Sequence, residues 1–268
     1  MYSAIKTRGI DQEMTEQQIE IPMRDGSCDG FLYCPEGDGQ WPGVLYFTDI
    51  GGIRSSNQAA AGRLAGQGYA VLLPNVFYRT GRTPLQPPLR SLTEDAAKQR
   101  LAELTQPLTP EHMESDSSSY VDFLNSQGCV RKGAMGVVGY CFTGKMALYA
   151  AAAKPDTITA AASFHGGGLF TDTPSSPHLA LPRIKARLYF GHATNDRSMP
   201  EEAIAELDQA LKNWGGKYES EVYKDAYHSW TTPDSPVYNA PQAERAFQKL
   251  TELFAETLNK RDGREEVA

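Results

Sequence analysis

The run Val137-Val138-Gly139-Tyr140-Cys141-Phe142-Thr143-Gly144-Lys145-Met146-Ala147 constrains this chain more than any other. Its β-branched apolar residues predict a buried strand that stops at a glycine. A cysteine follows two residues later, then a second glycine and an alanine-rich helix. Strand, sharp turn and helix in that order put a thiol at the tip of an elbow, where a nucleophile stands exposed above a sheet. The usual residue there is serine, and this chain offers cysteine.

The flanking sequence supplies the rest of the sheet. Residues 17–23 alternate polar and apolar, residues 24–27 read as a turn, and residues 30–35 as a second strand. Together they predict an antiparallel hairpin at a sheet edge. Residues 42–49 are nearly continuous apolar sequence, as a buried parallel strand requires. A helix over 56–67 and a strand over 69–74 complete a first βαβ unit. Strands are expected at 158–164, 186–191 and 218–223, and helices at 111–126, 201–214 and 240–259. Alternating elements of this kind predict one α/β domain over residues 1–268, with a core over about 17–257 and a mostly parallel sheet covered on both faces. Residues 75–110, rich in proline, read either as a cap or lid or as a plain surface excursion. The tail 260–268 is expected to fray.

Composition narrows the partners. The 268 residues carry a formal net charge of -7, which argues against nucleic acid or an anionic membrane surface. No apolar run is long enough to span a bilayer, and the N-terminus lacks the apolar core of a signal peptide, so the expected location is cytoplasmic. Cys28, Cys34, Cys129 and Cys141 form no C-x-x-C pair. Neither a disulfide framework nor a zinc site is expected, and the first three are read as buried, inert thiols.

Ligands of such sheets bind outside the carboxyl ends of the strands. Asp49, Cys141, Asp196 and His228 are all predicted there. The order Cys141, Asp196, His228 is the order of nucleophile, acid and base in one known arrangement of this type. A free thiol has a pKa near ~8.5 and needs a base or a positive field to ionise at neutral pH. His228 can take its proton, and Asp196 can hold the imidazole tautomer. The backbone N–H of Phe142 offers one oxyanion donor and that of Ile50 the second. Other readings stand beside these. Asp196 can be a helix cap in Asn195-Asp196-Arg197-Ser198, and Asp49 a turn residue before Gly51-Gly52. His165 can line the pocket, or serve as base in place of His228.

With those residues on the page, the chain resembles the dienelactone hydrolase family (carboxymethylenebutenolidases) over roughly residues 19–255. Gly139-Tyr140-Cys141-Phe142-Thr143-Gly144, Gly191-His192-Ala193-Thr194-Asn195-Asp196 and Tyr227-His228-Ser229-Trp230 carry the likeness. The resemblance implies an α/β-hydrolase fold without metal or organic cofactor. It implies that Cys141 attacks a lactone carbonyl and forms an acyl-enzyme. It also implies a thiol-activating carboxylate, here Asp49, and two arginines that hold a substrate carboxylate. Arg79 matches the first arginine, and Thr232 stands where the second would be. Arg54 and Arg82 are candidate substitutes, or else solvated surface arginines. Thr143 replaces a glycine of the simplest elbow and is expected to crowd it. The implied partner is a small-molecule lactone or ester. A broader carboxylesterase or thioesterase, or a non-catalytic binding protein on the same scaffold, are the alternatives.

Overall fold

A computed structural model describes residues 13–259, so the tail 260–268 lies outside the described residues. The hairpin forms as expected. β1 (Met14–Met23) and β2 (Gly26–Pro35) pair antiparallel across a turn at Arg24 and Asp25. β2 in turn pairs antiparallel with β4 (Ala70–Pro74). From β4 onward every pairing is parallel, through β3 (Trp41–Phe47), β5 (Val130–Tyr140), β6 (Ile158–Phe164), β7 (Arg187–Ala193) and β8 (Tyr218–Tyr223). The sheet order is β1-β2-β4-β3-β5-β6-β7-β8. The direction of winding reverses at β3 and β5. A reversal of this kind opens a crevice at the strands' carboxyl ends. The sequence elbow follows β5, and Asp49 follows β3, so both border that crevice.

Burial follows the two-residue period of a strand. On β3, Leu45 and Phe47 enter the core on one face, and Val44 and Tyr46 enter it on the other. The first face is covered by α3 (Pro110–Ser126), α4 (Gly144–Ala153) and α5 (Glu201–Trp214), the second by α1 (Ser55–Ala65) and α6 (Ala240–Leu258). In α6 the buried residues are Ala246, Leu250, Leu253, Phe254 and Leu258, a single stripe at helical spacing. Local chemistry sets the helix ends. The Thr109 side chain accepts from the His112 N–H, with Pro110 in the first turn of α3. Gly215, at φ 73°, ends α5 in a left-handed turn.

Residues 75–110 contain α2 (Glu94–Thr105), capped by Thr93, and bury Leu85, Leu104 and Leu108 against the first face. The segment is therefore packed onto the core, and its residues 84–89 turn toward the crevice.

One expectation is corrected. Cys34 and Cys129 are not separate thiols; their sulfurs are bonded, tying the end of β2 to the turn before β5. The partners stand 95 residues apart, and nothing in their spacing signals the meeting. Cys28 does remain a buried thiol, and burial pushes its pKa up to about 12. Among the described residues no helix is long and apolar enough to cross a membrane.

Candidate active site

Cys141 follows β5 directly, at φ 57°, and begins a 3₁₀ turn, Cys141–Thr143, that feeds α4. The turn is tight enough to exclude side chains at its two glycines. A Cβ on Gly139 would lie 2.2 Å from the Thr143 carbonyl oxygen. One on Gly144 would lie 2.3 Å from Ser163 Oγ. Thr143 does not crowd the elbow as expected. Its hydroxyl accepts from the Tyr140 N–H at 3.1 Å and donates to the Thr48 carbonyl at 2.7 Å. It thus pins the elbow to the end of β3, the strand that leads into Asp49 and Ile50.

Two other loops converge on the thiol. His228 Nε2 lies 3.0 Å from Cys141 Sγ, and His228 Nδ1 lies 2.6 Å from Asp196 Oδ2. Asp196 is buried, and its other oxygen accepts from the Ser198 N–H at 2.8 Å and the Ser198 hydroxyl at 2.7 Å. α5 starts after Pro200, so Asp196 does not cap that helix. Burial opposes the charge on Asp196, but the bonds from His228 and Ser198 outweigh it and hold the carboxyl below its ordinary value. Burial also opposes charge on His228. Its bonds to Asp196 and Cys141 prevail and carry it up to about 10, so the imidazolium form is favoured beside the sulfur.

Backbone strain is concentrated around these groups. Cys141, His165, Asn195, Asp225 and Ser229 are the described non-glycine residues at positive φ. They are the elbow residue itself, the residue after β6, the neighbour of Asp196, the residue two places after β8 and the neighbour of His228. Strain of this kind, of order 1–3 kcal/mol each, persists where surrounding contacts over-determine the geometry.

His165 is placed differently from expectation. It is fully buried behind His228, with ring centroids 5.2 Å apart, and does not line the cavity. Its Nε2 meets Thr231 Oγ1 at 2.8 Å. Burial, reinforced by the charge of His228, lowers its pKa to about 3. His192 is also buried and lowered to about 4. Both folded values lie below the unfolded ~6.5, so each imidazole favours folding above that pH and loses its contribution as pH falls toward 4. The raised value of His228 acts instead above pH 6.5, and the lowered one of Asp196 acts below the ordinary carboxylate range. Urea unfolding between pH 6.5 and 4 should therefore show stability dropping by about 1.4 kcal/mol per pH unit for each of the two imidazoles. His192→Gln should remove one share of that slope; an unchanged slope would contradict the assignment.

The cavity above Cys141 measures about 440 Å³. Its walls include Ile50, Ile53, Leu85 and Leu89, and its polar lining includes Thr232, Asp49, Arg54 and Asp234. Arg79, expected to grip a substrate carboxylate, is not among the lining residues. Its guanidinium is held by Asp25 and by the buried Asp116, each at 2.6 Å. Arg82 is exposed and paired with Glu20. Arg54, by contrast, is no solvated surface residue. It pairs through two nitrogens with Asp49, both at 2.8 Å, and through Nε with Asp234 at 2.9 Å. Asp49 also accepts from the Gly51 N–H at 2.7 Å, closing the turn that presents Ile50 to the cavity. Phe142 follows the thiol, with the Lys145 ammonium 4.6 Å from its ring centroid.

The model of the dienelactone hydrolase family matches residues 28–258. The chain belongs to the dienelactone hydrolase family. It is therefore a hydrolase of the α/β-hydrolase class. The carboxymethylenebutenolidase of Rhodococcus opacus is 29% identical over 233 residues, covering 85% of this chain and 86% of that protein. A Synechocystis protein provisionally given the same name is 26% identical over 249 residues, covering 90% and 96%. Among solved structures, a provisionally named dienelactone hydrolase from Klebsiella pneumoniae superposes with a TM-score of 0.81 at 20% identity, covering 91% of this chain and all of the other. That likeness is one of fold.

Some members of the site escaped the reading of the family motifs. Ser198 stands two residues after Asp196, a spacing at which a carboxylate closes a local turn, and that signal was available. Asp234 offered none: it meets Arg54 across 180 residues of sequence.

Proposed function

We propose that this dienelactone hydrolase family member hydrolyses a lactone or small carboxylic ester through an acyl-enzyme on Cys141. The observation that carries the reading is the continuous hydrogen-bonded chain from Cys141 Sγ, which lines the cavity, through His228 to Asp196. His228 accepts the thiol proton, and the thiolate attacks the carbonyl carbon. The resulting oxyanion is received by the backbone N–H groups of Phe142 and Ile50, a contribution of about 3 kcal/mol per donor in comparable sites. As the carbon–oxygen bond breaks, His228 returns the proton to the leaving oxygen. In a lactone that oxygen stays attached and the ring opens. Water then gives its proton to His228 and attacks the thioester. The thiolate leaves, and the carboxylic product departs. Asp196 keeps Nδ1 protonated and stabilises the imidazolium throughout. The scheme calls on no cofactor.

A broader carboxylesterase or thioesterase is the second reading. Thr232 in place of an arginine and the capture of Arg79 by Asp25 and Asp116 favour it over a substrate that must carry a carboxylate.

Mass spectrometry on protein mixed briefly with a lactone, an aryl ester and an acyl thioester tests both. The expected result is a mass gain equal to the acyl group, located on Cys141 and absent from Cys141→Ala. Turnover that survives unchanged in Cys141→Ala would refute the acyl-enzyme.

A further inference from the structure

We propose that His165 is a positioning residue of the reaction, whose buried ring, acting with Thr231, holds the His228 imidazole at the Cys141 sulfur. The inference rests on the hydrolytic reading of Cys141 and His228 and adds to it the group that fixes their geometry.

The segment from His165 to Gly168, which follows β6, bonds to the supports of two of the three site groups through its main chain. The His165 N–H donates to the Gly191 carbonyl at 2.7 Å, on β7, the strand that leads to Asp196. The Gly167 N–H donates to the carbonyl of Cys141 itself at 3.2 Å, and the Gly168 N–H to that of Ser198 at 2.8 Å. Ser198 is the residue whose hydroxyl and N–H hold Asp196. A Cβ on Gly167 would stand 3.0 Å from that hydroxyl oxygen, so a side chain there would press on it.

The third group is reached by the His165 side chain. His228 lies in the connection between β8 and α6, its side chain 30% exposed, and its neighbour Ser229 stands at φ 77°. An imidazole carried on a loop keeps its alignment only if other side chains back it. The His165 ring stands edge to face against His228, with centroids 5.2 Å apart and planes at 63°. It meets Trp230, which is fully buried, in the same way at 5.0 Å and 73°. Tyr140, the residue before Cys141, lies against it at 6.0 Å. Three residues beyond His228, Thr231 Oγ1 bonds His165 Nε2 at 2.8 Å. One ring therefore meets the base, the two anchors that follow the base and the residue that precedes the nucleophile. Burial keeps that ring neutral at neutral pH, so it backs the His228 imidazolium without opposing its charge. His165 is fully buried and is not part of the cavity lining, which separates this role from substrate binding.

The test pairs Thr231→Val, which keeps the shape and loses the hydroxyl, with His165→Phe, which keeps a ring and loses Nε2. Each should lower kcat on an aryl ester by about tenfold, the rate equivalent of one hydrogen bond, and leave KM within about twofold. The double variant should be no slower than the slower single one, because both substitutions remove the same bond. Alkylation of Cys141 by iodoacetamide near neutral pH should slow in both variants, since the imidazole no longer meets the sulfur squarely; a fold that was merely loosened would expose the thiol and speed it. Thr231 is half-buried, so Thr231→Val carries the test even if His165→Phe folds poorly. Unchanged alkylation in Thr231→Val, effects that multiply in the double variant, or a rise in KM at constant kcat would overturn the proposal. Alkylation needs no substrate. Slowed alkylation in a protein that cleaves no ester supports the positioning of His228 and counts against the hydrolytic reading alone.

Discussion

His228→Ala is expected to lower kcat on an aryl ester or lactone by about 10³–10⁴-fold, the range in which removing a base of this kind acts. In the proposed mechanism one imidazole serves every proton transfer. Its Nε2 lies within bonding distance of Cys141 Sγ, at 3.0 Å, and the ring stands between the sulfur and Asp196. His165, the nearest other imidazole, is fully buried with its Nε2 against Thr231 and a pKa lowered to about 3, so it cannot take over. The same substitution should slow alkylation of Cys141 by iodoacetamide near neutral pH, because the thiol loses its proton acceptor. Circular dichroism should show the fold intact, since His228 itself is partly exposed. Equal alkylation rates in wild type and variant would show that His228 does not activate the thiol.

Gly139→Ala is expected to do comparable damage by a different route. The added Cβ would lie 2.2 Å from the Thr143 carbonyl oxygen and 3.1 Å from Gly144 Cα. Both are backbone atoms inside the elbow, so no side chain can swing aside. Either β5 or the start of α4 must move, at a cost of about 3 kcal/mol, the upper part of the range for overpacking a buried site. Any such shift also displaces Cys141, and misplacing a reacting group by about 1 Å can cost 10²-fold in rate. Chemical denaturation and kcat should therefore fall together. Gly128→Ala is the control: its Cβ would meet nothing within 4 Å, and stability should change by less than about 0.5 kcal/mol. If the two alanine variants prove equally stable, the elbow is less tightly packed than described.

Much of the architecture is legible in local patterns. The strands at 158–164 and 218–223 and the helix at 201–214 occupy the predicted residues. Each carries its own period of apolar residues or its own bounding turn. The hairpin extends further than read, to Met14–Met23 and Gly26–Pro35, because main-chain pairing continues past the point where side chains alternate. The convergence of Cys141, Asp196 and His228 was readable from their order, since each follows a strand and strand ends of a parallel sheet share one edge. Thr143 shows the limit of that approach. By pattern it is an oversized residue in a tight turn; in the fold its hydroxyl finds the Thr48 carbonyl, which no motif anticipates.

The sequence by itself determined the parallel sheet, the cysteine elbow and the family. Those depend on side-chain periodicity, turn chemistry and residue order, all of which act over a few residues or through the rules of chain connection. Tertiary structure alone decided which charges meet. Arg79 has the expected position in sequence, yet Asp25 and Asp116 hold it away from the cavity, while Arg54 is brought to the cavity between Asp49 and Asp234. Cys34 and Cys129 are joined for the same kind of reason. A long-range pair forms where separate loops land, and two loops landing side by side leaves no period or spacing in either one.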